Sequence, residues 1–341
     1  MKAVGLTRYL PITDPESLRD VDLPSPKAHG RDLLVRIEAI SVNPVDAKIR
    51  RSKGPDHQEA FPQVLGWDAA GVVEAIGNEV RMFQPGDAVY YSGSIGRPGC
   101  NSEYHLVDER IVAHKPISWS MAQSAALPLT VITAYEALFE RMGIAKDGRS
   151  EGQVLLIIGG AGGVGSIAIQ FAKLVQLLVI ATASRVESES WCRQMGADAV
   201  IDHSQPMLPQ LQRLGYPTVD YILNTSQTDQ HWSDMAEAVK PQGHICGIVD
   251  TMQSIDLNVL KRKSATFSWE FMFTRSMYQT DDMVEQHKLL TQVAHWVDSG
   301  MLQPTLTQTL SPINAANLKI AHAKIESGRM IGKLVLTGWS S

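Results

Sequence analysis

The sequence is short of several things, and each shortage removes a class of explanation. Its 341 residues hold three cysteines, Cys100, Cys192 and Cys246, far apart and with no CxxC pair. That excludes a disulfide framework and a four-cysteine zinc lobe. No stretch approaches the roughly 20 consecutive apolar residues that span a bilayer, so no membrane partner is expected. The opening, MKAVGLTRYLPITDPESL, lacks the apolar core of a signal peptide, which makes the cytoplasm the expected location. Positive charge is not in excess either. A formal net charge of −5 gives no electrostatic case for nucleic acid, though it leaves room for a small anion in a local basic pocket. Repeats and low-complexity tracts are absent as well.

What is present is an ordinary soluble composition, 44% hydrophobic and 20% charged, in a chain long enough for two domains. Up to about residue 120, short apolar runs (33–40, 69–76, 88–91, 103–107) alternate with turn signals such as Gly77-Asn78 and Pro85-Gly86-Asp87. This predicts an irregular antiparallel barrel or sandwich. From about residue 127 the period changes. A helix is predicted over 134–142, then strands at 154–158, 178–182, 199–201, 219–223 and 244–249, with helices at 164–175, 187–195, 207–214 and 229–239 between them. Strands alternating with helices of about ten residues predict a parallel sheet with crossover helices, a Rossmann doubly wound α/β domain. Residues 264–273 offer one more edge strand. Helices at 283–299 and 314–325 and a strand at 331–336 then predict a return to the first domain. The expected division is 1–126 with 283–341 for the β-rich domain, and 127–282 for the nucleotide domain.

Between the first two α/β strands the text reads Gly159-Gly160-Ala161-Gly162-Gly163-Val164-Gly165, and Gly160-x-Gly162-x-x-Gly165 satisfies the GxGxxG pattern. The first glycine permits the tight turn, the second lets backbone N–H groups approach a pyrophosphate, and the third lets helix pack on strand. The helix N-terminus adds partial positive charge and free donors, to which Gly163 and Val164 belong. Following an apolar strand and opening a helix, the pattern predicts a dinucleotide site. An NAD site usually carries an acid about 20 residues on. Here the second strand ends Ala183-Ser184-Arg185 and the first acid is Glu187, so NADPH is the expected cofactor, its 2′-phosphate held by Ser184 and the Arg185 guanidinium.

Taken with the domain order, the stretches Ser41–Asp46, Leu65–Gly71, Gly86–Val89, Leu129–Tyr135, the glycine turn and Gly328–Leu336 resemble the medium-chain dehydrogenase/reductase superfamily, and within it the zinc-free quinone oxidoreductase branch. The resemblance covers nearly the whole chain and implies a GroES-like barrel for the β-rich part. The zinc enzymes of this superfamily place Cys, His-Glu and Cys ligands where this chain has Asn43, Trp67-Asp68 and Leu129, so no metal site is expected. Without a Lewis acid, alkoxide stabilisation is lost. Hydride transfer to a quinone or an activated α,β-unsaturated carbonyl is the implied reaction.

By the same resemblance Asn43 and Asp46 face the nicotinamide, and Lys48 lies near a position where relatives carry a tyrosine donor. Asn43-Pro44 also reads simply as a helix cap with Pro at the first helical position. Further cofactor contacts are implied at His203, Thr225 and Ile248, and at Arg329 and Lys333 toward the phosphates. Trp67, Leu129 and Trp269 would line the substrate pocket. The segment Ser268–Arg275 also reads as an edge strand joining a homodimer. Two rivals remain open: an enone or alkenal reductase with little quinone activity, and an NADPH-binding sensor or structural protein without turnover.

Overall fold

Alternation builds the first unit. In the strand Asp32–Ser41, Leu33, Val35, Ile37 and Ala39 are all buried at every second position, which is what one covered face of a pleated sheet requires. The structure is a computed structural model that describes residues 1–339, and the chain divides into two compact units. Met1–Leu129 and the chain from Phe273 onward form one, and Thr130–Met272 the other.

The first unit contains β1 (Lys2–Arg8), β2 (Arg19–Asp22), β3 (Asp32–Ser41), α1 (Pro44–Arg50), β4 (Gln58–Val64), β5 (Asp68–Ile76), β6 (Ala88–Ser92), β7 (Tyr104–Asp108), β8 (Val112–His114) and α2 (Met121–Ala125). Strands β2-β1-β4 form a small antiparallel sheet. The larger sheet runs β15-β16-β3-β5-β6-β8 with β7 paired to β3, where β15 (Leu306–Leu310) and β16 (Lys333–Thr337) come from the C-terminal return. The pairing of β16 with β3 sets Val335 opposite Ser41, and the Val42 N–H donates to the Leu334 carbonyl at 3.3 Å. That register carries residue 333 to the start of α1, some 290 residues away in sequence.

The second unit opens with most of α3 (Pro128–Tyr135), which runs straight into a π-turn at Glu136–Arg141 marked by a Met142 N–H to Ala137 carbonyl bond of 3.0 Å. The continuous helix expected over 134–142 is therefore wound differently over most of its length, from Glu136 to Arg141. Next come β9 (Val154–Ile158), α4 (Gly163–Leu174), β10 (Leu178–Thr182), α5 (Val186–Gln194), β11 (Ala199–Ile201), α6 (Met207–Arg213), β12 (Val219–Asn224), α7 (Thr228–Ala238), β13 (Val239–Gly247) and β14 (Thr266–Trp269). The sheet order is β11-β10-β9-β12-β13-β14 with every pair parallel, the doubly wound arrangement. All five residues of β9 are buried, as a central strand covered on both faces must be. Leu156, Ile158, Ile180, Ile222, Met235 and Ile245 share one core. Beyond this unit the chain adds α8 (Thr274–Tyr278), α9 (Glu285–Asp298) and α10 (Ala315–Glu326) to the first one.

Candidate active site

The glycine turn sits where β9 ends and α4 begins. Gly165 is required by the fold itself, because a Cβ there would lie 2.4 Å from the Gly159 carbonyl oxygen and 2.7 Å from the Gly160 Cα. Gly162, the N-cap of α4, is different. A Cβ there would meet only the Gly159 oxygen, at 3.6 Å, and its φ of −72° suits any residue. The protein leaves open the space above Gly162, as close approach of a ligand to the helix N-terminus demands. The turn is held from the side: the Gly159 N–H donates to Thr182 Oγ1 at 3.0 Å, and Thr182 Oγ1 lies 3.0 Å from His203 Nδ1. Thr225 Oγ1 donates to the Ile158 carbonyl at 2.8 Å, and the Ile248 N–H to the Asn224 carbonyl at 3.1 Å. Thr225 and Ile248 thus stand at the carboxyl ends of β12 and β13, the edge where such sheets bind ligands.

Ser184 is exposed and Arg185 half-buried as the N-cap of α5, just past the end of β10. His203 belongs to the same edge, but burial lowers its pKa below 6.5. It is therefore a neutral hydrogen-bonding group at pH 7 and adds no positive charge beside Arg185. Chemically this edge fits a nicotinamide dinucleotide: an open glycine cradle, a free helix N-terminus, and no acid at the end of β10.

In the first unit, four segments converge on a buried polar cluster. Asn43 caps α1 and Pro44 takes its first position, so the cap arrangement is real. The Asn43 N–H donates to Asp46 Oδ2 at 2.8 Å. The Asn43 side chain, however, turns to β5: its Nδ2 donates to Asp68 Oδ2 at 2.8 Å and lies 3.4 Å from the Ser41 carbonyl. Its Oδ1 accepts from the Lys333 ammonium. Lys333 Nζ also lies 3.4 Å from both Asp68 Oδ2 and the Val42 carbonyl. The Leu129 N–H closes the ring by donating to Asp68 Oδ1 at 2.7 Å. Asn43, Asp46, Asp68 and Lys333 are all buried.

Two carboxyls and one ammonium share this space. Burial is the largest influence on each, raising Asp46 and Asp68 and lowering Lys333. Asp68 is drawn back by Lys333 and by donors from Asn43 and Leu129. Asp46 has less help: its Oδ1 has no hydrogen-bond partner, Asp68 repels its charge, and its pKa rises to about 7. Asp46 is thus poised to hold or release a proton at Oδ1 near neutrality.

The structure therefore brings Asn43 and Asp46 together and adds two groups that the sequence reading had placed elsewhere or passed over. Lys333, expected at the cofactor phosphates, is committed to Asn43 and Asp68 instead. Asp68, which the resemblance sets at a position where the zinc enzymes carry a ligand, serves here as the carboxylate that joins Asn43, Lys333 and the Leu129 N–H. Lys48 is exposed on α1, outside the buried set, and Arg329 is exposed. Trp67 is buried, its Nε1 donating to the Ser94 carbonyl at 3.0 Å and its ring meeting Phe273 edge-on. Trp269, in the other unit, is 46% exposed on the edge strand β14.

A zinc ion does not fit these donors. Asn43 and Asp68 are spent on each other, the Leu129 side chain has no donor atom, and a buried ammonium stands against Asp68. Among the described residues no group of three or more His, Cys, Asp or Glu side chains is arranged to hold a metal.

Comparison with known proteins agrees with the architecture. Residues 29–117 match the alcohol dehydrogenase GroES-like domain, and residues 195–336 match the family described as zinc-binding dehydrogenase. A zinc-type alcohol dehydrogenase-like protein of Staphylococcus epidermidis is 44% identical over 98% of this chain and 99% of its own. A Rhizobium etli protein named as a zinc-dependent alcohol dehydrogenase is 50% identical, with TM-score 0.95 over 100% of this chain and 99% of its own. The quinone oxidoreductase of Coxiella burnetii is 26% identical, with TM-score 0.82 over 99% of both chains. With its GroES-like and Rossmann units in this order, the chain belongs to the medium-chain dehydrogenase/reductase superfamily, as a zinc-type alcohol dehydrogenase-like oxidoreductase with quinone oxidoreductases among its structural neighbours.

Proposed function

We propose that the protein is a zinc-independent, NADPH-dependent reductase of quinones or activated α,β-unsaturated carbonyls. The observation that carries this reading is the Asn43–Asp68–Lys333 cluster. Where the resemblance places the zinc enzymes' ligands, this chain presents an amide and a carboxylate already paired to one another, with the buried Lys333 ammonium from β16 set against both. Such a set cannot activate an alcohol as a metal alkoxide. An electron-poor acceptor needs less: orientation, a positive group for the developing oxyanion, and a proton.

The bound nicotinamide would supply the hydride. The residues of the chain divide the remaining work. The turn at Gly160, Gly162, Gly163, Val164 and Gly165 receives the pyrophosphate through backbone N–H groups, while Ser184 and Arg185 receive the 2′-phosphate. Asn43 no longer serves as a free donor, since its amide hydrogens point to Asp68 and Ser41; it positions the Lys333 ammonium. Lys333 supplies the positive charge, and Asp46 holds the proton at Oδ1 that an enolate or quinol oxygen takes up. Trp67 and Leu129 give the first unit's apolar lining near this cluster. Pairing of β14 edges in a homodimer accords with the reading.

Steady-state oxidation of NADPH and NADH across a panel of quinones, enones and simple aldehydes tests the proposal. Quinones and enones should turn over, simple aldehydes should not, and Arg185→Ala should raise KM for NADPH about tenfold while leaving NADH unaffected. Equal kcat/KM for both cofactors would contradict the cofactor assignment. Turnover confined to enals would favour the alkenal reductase. Tight NADPH binding without oxidation of any acceptor would favour a sensor.

A further inference from the structure

The N-cap of α4 gives up rigidity to leave room for a ligand. Gly162 has no side chain with which to fix its own peptide, and no side-chain hydrogen bond caps the helix. The carbonyl of Gly162 and the N–H of Gly163 belong to one planar peptide unit. Whatever holds that carbonyl therefore aims the Gly163 N–H, the first donor of α4, which has no acceptor within the helix.

Two side chains of the second unit hold it. Ser166, fully buried one turn into α4, donates its hydroxyl to the Gly162 carbonyl at 2.7 Å, beside the helix bond from its own N–H at 2.9 Å. The same hydroxyl accepts the indole N–H of Trp191, on α5, at 2.7 Å. Chemistry fixes the direction of each bond. An indole N–H only donates, a carbonyl oxygen only accepts, and a hydroxyl has one hydrogen to give. The relay thus runs from Trp191 to Ser166 to Gly162, and it settles a hydroxyl rotor that is otherwise free to turn.

Helix α5 is seated for this task. Gln170 Nε2 lies 3.4 Å from Met195 Sδ, one turn beyond Ser166 and Trp191 on both helices, so α4 and α5 pack side by side. Behind the glycine turn, a Cβ on Gly160 would come 3.0 Å from Cys192 Sγ, the residue after Trp191. Trp191 is half-buried, and packing alone would ask only for its ring; its N–H goes to the hydroxyl that touches the N-cap. We infer that Trp191 is a positioning residue for the dinucleotide: through Ser166 it sets the Gly162–Gly163 peptide so that the Gly163 N–H meets the pyrophosphate. This role rests on the dinucleotide reading of the glycine turn, but not on the choice of NADPH over NADH. The relay restores the rigidity that a glycine N-cap gives up.

Calorimetric titration of the whole protein with NADPH, NADH and adenosine 2′-phosphate, which lacks the pyrophosphate, tests this. Trp191→Phe keeps an aromatic ring and removes the N–H; Ser166→Ala removes the hydroxyl. Each should raise Kd for both dinucleotides about fivefold. The double variant should bind no more weakly than Ser166→Ala alone, because both changes break one relay. Adenosine 2′-phosphate should bind the variants as it binds the wild type. Dinucleotide affinity unchanged in Trp191→Phe, factors that multiply in the double variant, or an equal loss of adenosine 2′-phosphate affinity each overturns the role; the last would make Trp191 a support for α5 alone. A wild type that favours NADH and does not bind adenosine 2′-phosphate overturns the NADPH assignment instead, and NADH then carries the same comparison. If neither variant folds, reciprocity decides. Dinucleotide should slow exchange of the wild-type Trp191 indole hydrogen about fivefold, and unchanged exchange overturns the role.

Discussion

The glycine turn and the Lys333 cluster are built in opposite ways. The turn is seven consecutive residues, 159–165, whose working parts are backbone N–H groups and an open space above Gly162. The cluster draws Asn43, Asp46, Asp68, the Leu129 N–H and Lys333 from positions across the chain, and its working parts are buried charged side chains. A local backbone device can lose function with the fold left alone wherever the altered position faces open space, as at Gly162. A long-range charged device loses both, because each partner it loses strands another charge out of water.

The largest test of that contrast is Asp68→Ala. It leaves the Lys333 ammonium buried without its carboxylate, and should lower unfolding free energy by about 3–5 kcal/mol in denaturant titration, with turnover lost. Asp46→Asn should act in the opposite direction. Because the folded pKa is raised from 3.8 to about 7, the wild-type protein loses stability as pH rises through that window. The variant should be the more stable of the two above pH 7, by no more than about 4 kcal/mol. The wild-type kcat should also fall as pH rises through about 7, as the proton at Oδ1 is lost, and the variant should show a low, flat profile.

The smallest effect on the fold belongs to Gly162→Ala. Thermal unfolding should be unchanged while the Kd for NADPH rises at least about tenfold, because the added methyl occupies only the ligand's space. At Gly165→Ala the methyl meets backbone, and a stability loss of about 1–3 kcal/mol should accompany the loss of binding. Equal effects at the two glycines would break the comparison.

The same contrast explains what the sequence makes legible. Strands β9, β10 and β11 run over the residues expected from their apolar runs, and the turn lies where its glycines place it, because strand, turn and helix are encoded next to one another. The π-turn at 136–141 is invisible to periodicity, since apolar spacing does not separate a five-residue bond from a four-residue one in so short a piece. The strand β13 begins at Val239, five residues ahead of the 244 that its apolar run predicts; the irregular register against β12 absorbs Pro241 and the left-handed Gln242. Lys333 illustrates the harder limit. Nothing near Gly332-Lys333 in sequence tells whether the ammonium reaches outward to a phosphate or inward to Asp68; only the pairing of β16 with β3 decides it.

The names carried by the relatives speak of zinc, whereas the donors in this chain do not make a zinc site. The most direct measurement is NADPH-dependent quinone reduction by protein exhaustively treated with chelator, with zinc quantified in the same sample. Undiminished turnover at far below one zinc per chain is the predicted result. Stoichiometric zinc, with activity lost on its removal and restored on its return, would contradict the account.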